Sequence, residues 1–204
     1  MKGVWNKILK VDLTNRTCKA EHLPDEVYEK FLGGAGMNAY ILWRECPRGT
    51  TAFDPANRLT LAAGPMQGIK QTGAAKWTGG AISPSINMNA DSAATASFGI
   101  EMKFAGWDAI VIHGRADRPV YVVVDDDKAQ IKDGSHLWGK DAHETEDRIR
   151  EAEGEAFEVV TTGQAGERLV RYANIQTRKK SFLGRCGLGA VMGSKLLKLH
   201  AGSL

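Results

Sequence analysis

The chain has 204 residues, of which 43% are hydrophobic and 25% charged, and its formal net charge is +3. That length accommodates one large domain or two small ones with a real core, and the composition excludes a disordered chain. The slight basic excess is far below that of a dedicated nucleic-acid binder, so no nucleic-acid partner is expected.

The N-terminal segment MKGVWNKILKVDL alternates polar and apolar residues, without the apolar core and small-residue cleavage site of a secretion signal. No apolar run approaches the roughly 18–20 residues of a membrane-spanning helix. A cytoplasmic protein with no membrane partner is the expectation. Cys18, Cys46 and Cys186 lie far apart and include no Cys-x-x-Cys pair, so they form no disulfide framework. Zinc and iron–sulfur sites take roughly four thiolate or imidazole ligands. Neither these cysteines nor His22, His113, His136, His143 and His200 have that spacing.

Along the chain, Ile8, Val11 and Leu13 mark a strand over Lys7–Leu13, Asn15-Arg16 a turn, and Cys18–Leu23 a returning strand. Pro24-Asp25 opens a helix with Val27, Phe31 and Leu32 at helical spacing, and Gly33-Gly34-Ala35-Gly36 stops it. A second helix is predicted over Met37–Cys46 and a buried strand over Arg58–Ala63, ending in Gly64-Pro65. The stretch Gln67–Ser97, rich in Gly, Ala, Ser, Thr and Asn, reads either as short strands with tight turns or as a surface that another group approaches closely. Glu101–Ile112 joins a charged, aromatic segment to a buried strand, and packing is the better reading of Glu101 than acid–base chemistry.

The second half repeats the pattern. Val120–Val124 is a strand, Asp125-Asp126-Asp127 a turn and Ala129–Lys132 a return strand. Ser135-His136-Leu137-Trp138-Gly139 follows, then a helix over Asp141–Glu153 and a strand over Phe157–Thr162 ending in Gly163-Gln164-Ala165-Gly166. Strand, turn, strand, helical segment, strand and glycine turn thus occur twice, about 110 residues apart, as in an internal duplication. The expected fold is α+β, one domain over 1–204 built of two related mixed β-sheet halves with flanking helices, over about 1–112 and 113–204.

The segment Arg178–Lys195 carries glycines at 184, 187, 189 and 193 with cations before and within the run. Exposed backbone N–H groups beside Arg and Lys suit phosphate oxygens, and a following helix start adds its dipole. The alternative is a glycine turn packed in the core behind a solvated basic loop. The segment matches neither Gly-x4-Gly-Lys-Ser/Thr nor a strand–GxGxxG–helix unit. Gly34-x-Gly36-x-x-Ala39 is close to the latter but follows a helix, which favours a helix–helix joint.

Several runs resemble, in order and over nearly the whole chain, the N-terminal domain of the tungsten-containing aldehyde ferredoxin oxidoreductase family. They are Trp5 with Val11-Asp12-Leu13, Leu32-Gly33-Gly34 with Gly36, Ala62-Ala63-Gly64-Pro65 with Gly68, and Phe98-Gly99 with Glu101 and Lys103–Ile110. Further on come Ser135–Gly139, Gly163-x-Ala165-Gly166-Glu167 and Gly184-Arg185-x-Gly187-x-Gly189–Lys195. The resemblance implies an α+β base for a tungsten, or molybdenum, bis-pterin cofactor, with magnesium bridging the pterin phosphates through backbone carbonyls. Carried over, the cofactor positions are Lys76, Ala93, Thr95, Ser181, Phe182, Gly184 and Arg185, with the carbonyls of Ala93 and Phe182 toward magnesium. An arginine is usual at the positions of Lys76 and Ser181, an asparagine at Ala93 and a glycine at Thr95. Arg178, Lys179 and Lys180 are the cations able to replace the one missing at Ser181.

The resemblance further implies aldehyde oxidation to a carboxylic acid, with electrons leaving through a [4Fe–4S] cluster to ferredoxin. The cluster and substrate pocket are expected on helical C-terminal domains or a separate subunit, so this chain is not active alone. An exposed apolar or glycine-rich face also favours a homodimer. The alternatives are a non-catalytic interaction or carrier domain that keeps the fold without the cofactor, and a phosphate- or nucleotide-binding domain of other chemistry.

Overall fold

A computed structural model describes residues 1–202 of the chain, and the side chains of residues 1–198. The predicted second half runs to 204, so residues 203 and 204 lie outside the described part. In the first half, strands β1 (Lys7–Asp12) and β2 (Thr17–His22) form a hairpin. Helices α1 (Asp25–Phe31) and α2 (Gly34–Glu45) follow, then β3 (Leu59–Ala62), β4 (Trp77–Ile82), β5 (Asn89–Ala94), α3 (Phe98–Phe104) and β6 (Ala109–His113). The second half has β7 (Val120–Asp125), β8 (Lys128–Asp133), a 3₁₀ turn (Ser135–Leu137), α4 (Ala142–Glu153), β9 (Glu158–Thr161) and α5 (Gln164–Glu167). It ends with β10 (Ile175–Thr177), β11 (Ser181–Leu183), α6 (Leu188–Ser194) and β12 (Leu197–Gly202).

The duplication is visible strand by strand. The first sheet runs β2-β1-β6-β3-β4-β5, and the second, read from its other edge, runs β8-β7-β12-β9-β10-β11. In each the last strand enters the middle, parallel to the first strand of its half and antiparallel to the third. Every other neighbouring pair is antiparallel in both sheets.

Side-chain alternation along a strand sends successive residues to opposite faces. Leu9, Val11, Leu59, Leu61, Ile110 and Ile112 of the first sheet therefore share one core with Val120, Val122, Val124 and Val160 of the second. The outer face of the first sheet, through Ile8, Ala109 and Val111, takes Val27, Tyr28, Met37 and Ile41 of α1 and α2. That of the second, through Tyr121, Val123 and Val159, takes Leu137 and Ile149. Both connecting helices cross over. Helix α3 packs against β9 and β12, and α6 reaches β3 and β4, so each half is partly closed by the other.

Local chemistry sets the helix ends. Asp141 caps α4 by accepting the Glu144 N–H (2.8 Å), and Asp25 and Glu26 place negative charge in the first turn of α1. Two sequence expectations need correction. Helix α2 starts at Gly34, inside the glycine run read as a break. There the small residues allow close packing, since a Cβ on Gly36 would lie 2.3 Å from the Phe31 carbonyl oxygen. The glycine turn at 163–166 is instead largely the short helix α5, packed on α6.

Buried charges fasten elements within each half, and one of them, Lys195, joins the two. Lys103 and Asp108 form a buried pair at 2.5 Å. Asp108 also accepts the backbone N–H of Trp5 (2.9 Å), and the Trp5 indole donates to the Lys103 carbonyl (2.7 Å). Lys198 pairs with Glu167 (3.0 Å), whose carboxylate accepts the Gly139 N–H (2.9 Å). Lys195, 1% exposed, donates to the carbonyls of Asn57 (2.7 Å), Gly114 (3.1 Å) and Pro55 (3.3 Å). Burial, helped by the charge of Arg58, pulls its ammonium down to about 7.

Candidate functional site

The segments that the sequence singles out meet where the edges of the two sheets face each other. Strand β5 ends the first sheet and β11 the second. Side-chain hydroxyls stitch them together. The Thr95 N–H donates to Ser181 Oγ (3.1 Å), and the Ser181 hydroxyl donates back to the Thr95 carbonyl (2.8 Å). Further along, the Arg185 N–H donates to Ser92 Oγ (3.3 Å), Ser83 Oγ donates to the Cys186 carbonyl (2.8 Å), and Cys186 Sγ reaches the Asp91 carbonyl (3.4 Å).

These bonds orient the backbone of β5. The carbonyls of Asp91 and Thr95 both accept from the second sheet's edge. Ala93 pairs with Thr78 and Ala94 with Trp77, and Lys76 directly precedes β4 at that end of the ladder. Lys76, Ala93, Thr95, Phe182, Gly184 and Arg185 are all exposed. Ser181 is not. It is buried, and its hydroxyl is engaged with Thr95, so it positions the seam instead of forming its surface. Phe182 is 40% exposed, its ring on the open face.

The turn between β10 and β11 stands at one end of the seam. Arg178 (φ 51°) and Lys179 (φ 56°) are both left-handed, a conformation costing about 1–2 kcal/mol per non-glycine residue. Carboxylates hold the turn: Glu146 accepts the Lys179 N–H (3.1 Å), and the Lys179 ammonium pairs with Asp147. Arg178 donates to Ser97 Oγ (2.9 Å) and lies 3.4 Å from the buried Glu158. Burial pushes the Glu158 carboxyl up, against the pull of Arg178 and Arg150.

The glycine run divides into two parts. A Cβ on Gly187 would lie 1.9 Å from the Arg171 carbonyl oxygen, on Gly189 2.1 Å from that of Asn174, and on Gly193 2.0 Å from that of Gly166. Those three glycines are core, and every residue of α6 is buried. Only Gly184 and Arg185 belong to the open face. Residue spacing alone missed the hydroxyls Ser83, Ser92 and Ser97. The small polar composition of Gln67–Ser97 was their one signal.

The platform is open and has no walls of its own. Among the described residues no three His, Cys, Asp or Glu side chains gather as a metal-binding group, and no helix is long and apolar enough to cross a membrane. The exposed face carries cations at Lys76 and Arg185 and an unobstructed Gly184, a donor set whose chemistry suits an anionic group.

Comparison with known proteins agrees with this architecture. Residues 8–201 match the family described as aldehyde ferredoxin oxidoreductase, N-terminal domain. The chain is 40% identical over 199 residues to a tungsten-containing aldehyde ferredoxin oxidoreductase of Pyrococcus abyssi (strain GE5 / Orsay), covering 97% of this chain and 33% of that protein. It is 35% identical to an aliphatic sulfonate oxidoreductase, WOR-like subunit, of Pyrococcus furiosus (strain ATCC 43587 / DSM 3638 / JCM 8422 / Vc1), covering 94% and 33%. A chain of the active site complex BamBC of benzoyl coenzyme A reductase, solved with 1,5 dienoyl-CoA, superposes with a TM-score of 0.95 at 36% identity. That match covers 98% of this chain and 31% of the other. This chain thus spans about a third of the length of its relatives, and it belongs to the aldehyde ferredoxin oxidoreductase N-terminal domain family.

Proposed function

We propose that the chain is the base on which a tungsten or molybdenum bis-pterin cofactor rests, in an oxidoreductase that converts aldehydes to carboxylic acids. The observation that carries this reading is the β5–β11 seam. It brings Ala93, Thr95, Phe182, Gly184 and Arg185 onto one open face although they are as much as 92 residues apart in the numbering. Lys76 and Arg185 would hold anionic groups, and the backbone carbonyls of Ala93 and Phe182 would serve magnesium. Gly184 leaves room for close approach, with nothing nearer to an added Cβ than Phe182 at 3.9 Å. When bound, the cofactor supplies the redox chemistry; the protein supplies position and electrostatics.

A [4Fe–4S] cluster on helical domains or a separate subunit would supply the route for electrons to ferredoxin. Trp5, Ile69 and Phe104, all more than half exposed around one depression, offer apolar surface to such domains or to a second copy. Aldehyde, sulfonate and benzoyl-CoA enzymes share this domain, so substrate choice is assigned to the remaining two thirds of such proteins.

Metal and pterin analysis of the native protein, purified with any subunits that accompany it, is expected to find tungsten or molybdenum together with pterin. Finding neither overturns the reading. The second reading, a domain that keeps the fold without the cofactor, draws on the burial of Ser181, whose hydroxyl is engaged within the seam. Recovery of pterin and metal in that analysis removes it.

A further inference from the structure

We propose that the depression between the N-terminal arm and the loop after β3 docks an acidic peptide segment of a partner protein, anchored there by a large apolar side chain. The inference narrows the apolar surface around Trp5, Ile69 and Phe104 to one kind of occupant, and it stands apart from the cofactor reading.

The depression holds about 410 Å³ between residues 3–5, the loop 65–69 and the end of α3. Its walls are fastened to one another. The Lys103 ammonium donates to the Gly3 carbonyl (2.9 Å), and the Trp5 indole donates to the Lys103 carbonyl (2.7 Å). Gly68 (φ 90°) passes so near Phe104 that an added Cβ would lie 3.0 Å from its ring. Held in this way, Trp5 and Phe104 are still 56% and 58% exposed, with Ile69 51% exposed in the same lining. Fixed aromatic side chains around a pocket are the usual anchors of a protein interface.

Charge and hydrogen bonding select the occupant. No carboxylate lines the depression, and its one charged lining residue, Lys103, is already paired with the buried Asp108. Lys2 adjoins the lining at Gly3 and Lys70 adjoins it at Ile69. Both are exposed, and among the described residues neither has an ion-pair partner. The terminal ammonium, by contrast, is paired with Asp25 (2.8 Å). An apolar floor with unpaired cations on its arm and its loop complements an apolar side chain flanked by carboxylates. Gln67 adds a polar point: it lines the depression, is 6% exposed, and its amide nitrogen has no hydrogen-bond partner. Buried donors are seldom left so, and a peptide carbonyl entering the depression satisfies this one.

The test is calorimetric titration of the full chain with a synthetic peptide that has a Phe-Leu centre between Glu-Asp-Glu arms. Controls carry lysine arms or a Ser-Ser centre, and melting temperature checks folding of each variant. The acidic peptide is expected to bind, and both controls to bind at least about tenfold more weakly. Phe104→Ser should lower affinity about tenfold, and Lys2→Glu with Lys70→Glu by a similar factor without loss of melting temperature. No binding, or equal binding of the lysine-armed peptide, overturns the proposal. Dimerisation of the chain that F104S abolishes assigns the depression to a second copy and also overturns it. In the native assembly, a carbodiimide that couples amines to carboxylates should join Lys2 or Lys70 to the docked segment. If instead both lysines are shielded from acetylation but form no such link, a neutral surface covers the depression and the proposal falls. None of these outcomes bears on the metal and pterin analysis.

Discussion

The two halves share one strand plan but are held together by different means. The first covers the outer face of its sheet with two helices over a wide apolar cluster, and its buried charges are the pair Lys103–Asp108. The second covers its sheet with one helix and a 3₁₀ turn over a smaller cluster, and it buries Glu146, Glu158, Lys195 and Lys198. At the seam the contrast recurs. The first half presents the small neutral residues Ser92, Ala93 and Thr95 with Lys76 as its cation, while the second brings Arg178, Lys180 and Arg185. The repeated strand plan thus gives two equivalent edges, of which the second carries more of the positive charge.

Substitutions can break this comparison, and the largest effect is expected in the first half. Lys103→Met leaves Asp108 buried without its counter-ion and should cost about 3–5 kcal/mol in urea unfolding. A loss below about 1 kcal/mol would show that the pair does not hold the N-terminal strand. Gly193→Ala tests the second half, since its Cβ would sit 2.0 Å from the Gly166 carbonyl oxygen. A destabilisation of about 3 kcal/mol is expected because backbone cannot step aside. Gly80→Ala in the first half meets side chains, Asn38 at 2.8 Å and Thr60 at 3.1 Å, and should cost less.

Lys195→Met removes a donor from three carbonyls but strands no charge, so about 1–3 kcal/mol is expected near neutral pH. The pH dependence has a defined sign. The native ammonium lies near 7 and the unfolded one near 10.5, so between those values the unfolded chain binds more protons. Stability from this group therefore rises with pH across that window. The gap between wild type and K195M should widen from pH 6 to pH 8.5, and a constant gap rejects the assignment. Ser181→Ala deletes both bonds to Thr95 and should cost about 1–2 kcal/mol, with faster hydrogen exchange at the Thr95 amide as its local signature. Smallest of all, Arg148→Ala removes an exposed i,i+4 partner of Glu144 and should change stability by no more than about 0.5 kcal/mol.

Much of the fold was legible because the strands alternate and the two halves repeat their order. Apolar Val120, Val122 and Val124 and the cap Asp141 each state their element locally. What escaped was the glycine-rich end. Strands β10 and β11 have three residues each, too short for any period to show. Helix α6 is buried on every side, so LGAVMGS carries no polar stripe to reveal a helix. The site positions came from the ordered resemblance, while their meeting depends on contacts such as Thr95–Ser181 that span 86 residues. No local pattern encodes such a contact. The partition of the glycine run is similar, because whether a glycine faces solvent or a carbonyl depends on which segment lies opposite.

The central place of β6 and β12 has a consequence for how the chain is made. Each is the last strand of its half to leave the ribosome, yet it bridges pieces of sheet that otherwise share no ladder. Until residue 109 emerges, the β1–β2 hairpin and the β3–β4–β5 meander are separate rafts, and their exposed apolar faces await a keystone. The same wait recurs in the second half until β12 arrives. A nascent chain of this plan thus closes in two late steps, each delayed by the entropy of a long loop.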